Sequence, residues 1–355
     1  MKKFLIINPF GIGDVLFTTP LIRAIKEADL QNRVSFWCNE RTRGILKNNP
    51  YIDSIFALNR GDLKKIFQRS FLEGTRCMIS LARQIKKEKF DTVFDFSLDH
   101  RYVLVCKLMG IKKRFGFNYK KRGRFLTEKI DIDGYNDKHI VEYYTDLIRL
   151  AGISARSARL ELYVCEESKV KIEALLKRVG INDFHGLVGI APGAGASWGE
   201  NASLKHWPAL KFGQLADRII ENLGVEIVIL GDDSEKDIAQ ILTAGMKQKA
   251  VDLTGKTSLE ELMAVISRLK LLVTNDGGML HMAAALGIKT VSIFGPVSEV
   301  VYGPYPAGES HLVVKKDISC RPCYRHFRMP LCERDRECLK SITVDEVFNA
   351  ARRLL

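Results

Sequence analysis

Short apolar runs recur along the chain, each closed by a turn rich in glycine, asparagine or aspartate and followed by a stretch whose apolar positions repeat at helical spacing. In the first half the pattern predicts strands at Lys3–Asn8, Val34–Cys38, Ser54–Ala57 and within FDTVFDFS (90–97). It predicts helices at Val15–Glu27, Phe71–Lys89 and Tyr135–Gly152, the last with a glycine placed to stop it. The alternation then starts again. Strands are expected in GLVGIAPGA (186–194), VEIVILGDD (225–233), LKLLVTNDG (269–277) and TVSIFGP (290–296). Helices are expected at Ser168–Val179, Pro208–Leu223, Ser258–Leu269, Leu280–Leu286 and Val344–Leu355. Strand–helix alternation of this kind builds parallel sheets covered on both faces, so the fold class is α/β. Two consecutive sets imply two Rossmann-like domains, 1–165 and 166–342, joined near 155–170 and followed by a terminal helix at 343–355.

Charge adds an asymmetry to this plan. The net charge is +13, and residues 1–170 carry 32 Lys and Arg against 20 Asp and Glu, so nearly all the excess lies in the first half. Such a surface attracts an anionic partner, whether nucleic acid, a membrane surface or a phosphorylated substrate, unless it serves solubility alone. No apolar run approaches the roughly 18 residues of a membrane span. The opening MKKFLII is cut short by Asn8-Pro9, unlike a secretory leader, and the expected location is cytoplasmic. Eight cysteines in 355 residues are not a secreted disulfide scaffold. Cys38, Cys77, Cys106 and Cys165 stand in apolar surroundings as small packing residues.

In open α/β sheets ligands bind beyond the carboxyl ends of the strands, where this chain places its glycine-rich turns. Gly11-Ile12-Gly13-Asp14 puts a carboxylate in the first turn of a helix, whose dipole favours the ionised form. That residue type in that place is either an N-terminal cap or a general base. GIAPGAGASWGENASLKHWP (189–208) runs a strand into Gly193, then Ser197, Ser203 and Lys205, a set of hydroxyls, backbone amides and an ammonium suited to phosphate oxygens. VTNDGGMLHMAAALG (273–287) ends a strand in Asp276, opens the backbone at Gly277 and Gly278, and begins a small-residue helix with His281 five residues on. A helix N-terminus left open in this way suits a diphosphate. In ILGDDSEKD (229–237), Asp233 and Glu235 follow a strand where ribose hydroxyls are commonly bound, or where helices are capped.

Two further features remain. KKRFGFNYKKRGR (112–124) interleaves basic residues, Lys120 and Arg122 among them, with Phe115, Phe117 and Tyr119. It suits an anionic glycolipid at a membrane surface, a nucleic acid, or simply solvent. Near the end, Cys320-x2-Cys323 with Cys332 and Cys338 has one zinc-ligand spacing and one loose one. The cluster reads as a structural zinc site, as packing thiols, or as disulfides.

GIGDVLFTTPLIRAIKE, PGAGASWGENASLKHWP and NDGGMLHMAAALGIKTVSIFGP, in this order, resemble the ADP-heptose lipopolysaccharide heptosyltransferases of glycosyltransferase family 9. The tail CRPCYRHFRMPLCERDRECLKSITVDEV is similar too, and the resemblance spans nearly the whole chain. It implies a GT-B fold of two Rossmann-like domains facing a central cleft, acceptor on the first and nucleotide-sugar on the second. It implies inverting transfer of heptose from ADP-heptose to a lipopolysaccharide core acceptor, with no catalytic metal and no other cofactor. The resemblance places Asp14 as general base and Lys205 at the leaving diphosphate. Gly193, Ser197, Ser203, Asp233, Glu235, Asp276, Gly277, Gly278 and His281 fall on the donor, and Gly13, Lys120 and Arg122 on the acceptor. The final helix would return to the first domain, and contact would be peripheral at the cytoplasmic face of the inner membrane. The chain departs from the family at Gly277, often Thr, and at Asn8-Pro9-Phe10, where Lys or Ser residues are common. Transfer of another sugar, a nucleotide-sugar epimerase and a non-enzymatic nucleic-acid binder are the alternatives, the last set aside because two nucleotide-binding domains and a cleft carboxylate fit it poorly.

Overall fold

The computed structural model describes residues 1–59, 61, 68–155, 159–181 and 186–355, with the side chains of residues 196, 197 and 200 excepted. The chain divides into two units. The first comprises Met1–Tyr135 and Ile140–Arg159, the second Asn136–His139 and Leu160–Leu355. The boundary thus falls before 165, and four residues of the expected Tyr135–Gly152 helix belong instead to the second unit. The helix itself spans Ile140–Leu150.

In the first unit six parallel strands, β1 (Lys3–Asn8), β2 (Arg33–Cys38), β3 (Ser54–Ala57), β4 (Thr92–Asp95), β5 (Lys113–Tyr119) and β6 (Glu128–Ile132), lie in the order β3-β2-β1-β4-β5-β6. Both faces are covered, which is why β1 reads as an unbroken apolar run. Leu5, Ile7 and Val93 point to one face, beneath Ile85 and Cys106 of the helices Phe71–Lys87 and His100–Leu108. On the other, Phe94 stacks on Phe115 at 5.2 Å, and Phe96 meets Tyr144 at 4.3 Å. The expected Val15–Glu27 helix is two, Ile12–Leu16 and Thr19–Ala28, because Pro20 starts a helix well but cannot sit inside one. The basic stretch at 112–124 contains β5. Phe115, Phe117 and Tyr119 turn inward at a period of two while Arg114 and Asn118 are half-buried between them.

The second unit repeats the design. Strands β7 (Val188–Ala191), β8 (Ile227–Ile229), β9 (Val251–Asp252), β10 (Leu271–Asn275), β11 (Lys289–Phe294) and β12 (His311–Lys315) are parallel in the order β12-β11-β10-β7-β8-β9. Counted from its own first strand, this is the same order as in the first sheet. Both are doubly wound, Rossmann-like sheets. The helix Ala209–Leu223 stops at Gly224, whose left-handed φ of 62° is free of strain only in glycine. The terminal helix Val344–Leu354 begins at a Thr343–Glu346 capping box. It buries Val347, Phe348, Ala351 and Leu354 in the core of the second unit, beside residues of Ala209–Leu223 and β11. Its apolar face therefore completes the core of the unit that precedes it. Among the described residues no helix is long and apolar enough to cross a membrane.

Candidate functional site

In each sheet the strand order reverses between the first and fourth strands, and the turns beyond those strands form the natural ligand crevice. In the first unit the turn after β1 carries Asp14, third residue of the short helix Ile12–Leu16. Its Oδ2 accepts the Gly11 backbone N–H at 3.1 Å, and Asn8 Nδ2 donates to the Asp14 carbonyl at 2.9 Å. Asn8 also accepts the Phe10 N–H at 3.2 Å, so Asn8-Pro9-Phe10 is a closed turn that fixes the carboxylate's base. Asp14 is half-buried, as is Gly13 beside it. Its capping role is thus real, and the residue is neither fully buried nor fully exposed. Tyr135, unnoticed in the sequence, is buried nearby. Burial pushes its phenol well up, and the charges of Tyr144 and Asp14 add to that. Asp95 ends β4 on the neighbouring strand. Burial raises its carboxyl to about 7, against hydrogen bonds from Ser97.

The second unit gathers most of the predicted donor residues. Lys205 Nζ lies 2.7 Å from Asp276 Oδ2, and each side chain is only 6% exposed. The ammonium also sits over the Trp198 ring, 4.5 Å from its centroid. Asp276 follows β10 directly, and Gly277 caps the eight-residue helix Gly278–Ala285 with no side-chain hydrogen bond to its amides. Gly277 is extended, so its need for glycine is steric. A Cβ there would lie 2.9 Å from the Ala194 carbonyl oxygen. The 192–195 loop and the helix start are therefore in close contact. Asn275, missed in the sequence, holds them together: its Nδ2 donates to the Pro192 carbonyl at 2.6 Å and its Oδ1 accepts the Trp207 N–H at 3.0 Å. The available signal was an amide ending an apolar strand, where a polar side chain must find partners once buried.

His281 is buried one turn into the helix, its imidazole pushed down to about 3 by burial and then by His139 and Lys205. His139 was also missed. It belongs to the Asn136–His139 segment, donates its Nε2 proton to the Gly303 carbonyl at 3.1 Å, and stacks on Tyr305 at 4.5 Å. Burial pushes it to about 4, so both imidazoles are neutral at pH 7.

Other predicted residues divide. Glu235 is buried and accepts the backbone N–H groups of Gly195 and Asp232, each at 2.9 Å, while burial raises its carboxyl. It lies so close to Gly193 that any side chain at that position would collide with it. Asp233 is exposed and pairs with Lys236. Ser203 is exposed, its carbonyl taking a hydrogen bond from Arg336 at 3.0 Å. The Ser197 side chain lies outside the described residues. In the first unit Lys120 and Arg122 are exposed and lean on the Tyr119 ring at 5.0 and 5.8 Å.

The four C-terminal cysteines line one small apolar cavity with Leu204, Pro296 and Ile318. All are free thiols, and burial followed by the neighbouring thiols pushes Cys323 up to about 11. Among the described residues no group of three or more His, Cys, Asp or Glu is placed to hold a metal, so the zinc reading is not supported.

The sequence profile described as glycosyltransferase family 9 (heptosyltransferase) matches residues 78–329. Lipooligosaccharide heptosyltransferase 2 of Haemophilus influenzae is 31% identical over 310 residues, which cover 83% of this chain and 84% of that one. Lipopolysaccharide heptosyltransferase 2 of Salmonella typhimurium is 25% identical over 312 residues, with 83% of each chain covered. Among solved structures, the family 9 glycosyl transferase of Veillonella parvula superposes with a TM-score of 0.83 at 24% identity, covering 99% of this chain and 97% of that one. The ADP-heptose lps heptosyltransferase II of E. coli gives 0.75 at 21% identity, covering 100% and 98%. The fold is the GT-B fold of these enzymes, and the chain belongs to glycosyltransferase family 9, the heptosyltransferases.

Proposed function

We propose that this glycosyltransferase moves heptose from ADP-heptose to a sugar hydroxyl of a lipopolysaccharide core acceptor, with inversion at the anomeric carbon. The second unit takes the donor. The open amides of Gly277 and Gly278 and the dipole of the helix Gly278–Ala285 meet the diphosphate. Lys205 stabilises the negative charge that grows on the departing diphosphate. These fixed positive groups do the work a divalent cation would do elsewhere, so the scheme uses no metal. Asp276, neutral His281 and the 193–203 loop hold sugar hydroxyls and phosphate oxygens, which fixes the anomeric carbon for attack. Asp233 and Glu235 lie at the ribose end.

The first unit takes the acceptor. Asp14, backed by Gly13 and kept anionic by the helix start, accepts the proton of the attacking hydroxyl. Lys120 and Arg122 meet the acceptor's phosphates, and the basic surface around them supports peripheral contact with the cytoplasmic face of an inner membrane.

The observation that carries this reading is the buried Lys205–Asp276 pair set at an uncapped helix start. Desolvating both charges offsets most of what their attraction gains, so stability alone explains the pair poorly. The test is calorimetric titration, without added metal, of ADP, UDP, GDP and their sugar conjugates, followed by product analysis with a core acceptor. Selective ADP binding and a new glycosidic bond of inverted configuration are expected. Selective UDP or GDP binding overturns the donor, and epimerised free nucleotide-sugar overturns transfer.

A further inference from the structure

Family membership leaves the cysteine-bearing tail without a role, yet it is fastened firmly. Arg321, its side chain only 5% exposed, pairs with Glu299 at 2.9 Å and donates to the Gly295 and Val297 carbonyls. The backbone N–H groups of Cys323 and Tyr324 both donate to the Pro296 carbonyl, at 2.9 and 3.1 Å. The turn after β11 is thereby tied to residues 321–324. What this delivers is the Tyr324 ring. It lies 4.7 Å from the Trp198 ring, tilted by 46°, and meets Tyr302 edge-on at 5.8 Å. Trp198 in turn carries the Lys205 ammonium over its face at 4.5 Å, opposite the carboxylate of Asp276.

We infer that Tyr324 is a positioning residue of the donor site, acting through Trp198 on Lys205. The inference rests on the donor reading above. A lysine is a flexible stem ending in a compact charge, and a phosphate binds it well only where that charge is held. Asp276 alone would draw the ammonium to itself. The indole face supplies a second attraction without a competing negative charge, so Lys205 is held at one place and still available to a diphosphate. Tyr324 and Tyr302 prevent the indole from swinging away. The tail thus belongs to the active site although none of its own residues is placed on substrate.

The test is a double-mutant cycle between Tyr324→Leu and Lys205→Ala, read both as ADP-heptose turnover and as ADP affinity. Tyr324→Leu is expected to lower kcat between about five- and thirtyfold, the range of a partly desolvated cation–π contact. Tyr324→Phe, which keeps the ring contact, should stay near the wild type. In the Lys205→Ala background Tyr324→Leu should cost nothing further. Trp198→Leu gives the same cycle if Tyr324→Leu fails to fold, as judged by its circular dichroism. Equal proportional losses in both backgrounds, or no rescue by phenylalanine, overturn the inference. Wild-type protein that binds ADP but leaves ADP-heptose untouched overturns the donor sugar instead, and the cycle in ADP affinity still reads Tyr324. Wild-type protein that binds no ADP overturns both.

Discussion

Lys205 and Asp276 form a contact ion pair of 2.7 Å in which neither side chain is more than 6% exposed. The two residues come from different strand–helix connections, so the pair also joins the two loops that meet at the switch point of the second sheet. Removing one partner leaves a buried charge unpaired. Lys205→Ala or Asp276→Ala should each cost about 3–5 kcal/mol in urea unfolding, and Lys205→Met with Asp276→Leu together much less. Additive losses would mean the charges are not coupled.

Asp14→Asn keeps the side-chain acceptor for Gly11 and removes the base. Turnover should fall by roughly 10²–10⁴, the usual weight of general base catalysis, while ADP affinity is unchanged. Unaltered turnover would dismiss Asp14 from the chemistry.

Gly277→Thr would press a Cβ to 2.9 Å from the Ala194 carbonyl and spread the loops Asn275 ties together. The expected cost is about 1–3 kcal/mol in stability, with weaker ADP binding in calorimetry.

Asp95 gives a signed pH dependence. Its carboxyl titrates near 7 when folded, against 3.8 in a free chain, so the folded state holds this proton more tightly. That contribution is complete below the unfolded value and is lost as pH rises through about 7. Chemical denaturation of wild type and Asp95→Asn between pH 4 and 8 should show the wild type losing ground, by at most about 1.4 kcal/mol per pH unit. A constant difference would refute the assignment.

Charge reversal at Lys120 and Arg122 should raise the KM for a phosphorylated acceptor and leave ADP affinity alone. The effect should shrink with added salt, because both side chains are exposed. A change in donor affinity instead would put these residues elsewhere in the mechanism.

Most of the fold was legible in hydrophobic spacing, because parallel strands covered on both faces read as unbroken apolar runs. What escaped has physical causes. β5 is masked by charge, since its inward residues Phe115, Phe117 and Tyr119 are flanked by Lys112–Arg114 on one side and Lys120–Arg122 on the other. The helix Lys236–Ala244 follows a capping box whose carboxylates suggested a ligand. In the site, residues displayed on glycine-rich turns could be named from local sequence, and the structure brings Lys205, Asp276, Gly277 and His281 together. Asn275, His139 and Tyr324 could not, because each acts on a partner many residues away: 83 from Asn275 to Pro192, and 164 from His139 to Gly303. Glu235, expected at ribose hydroxyls, has a buried carboxylate that serves two backbone amides, a capping role its local sequence equally allowed.

The four residues Asn136–His139 bear on how the protein is made. At a synthesis rate of about 5–20 residues per second, His139 is synthesised roughly 8–30 s before Gly303. The helix Ile140–Leu150, which buries Tyr144 and Leu147 in the first unit, emerges meanwhile. The nascent first unit can therefore close its core while holding out a short loop whose buried histidine has no acceptor yet. Only once Gly303 has been made can that loop take its place in the second unit.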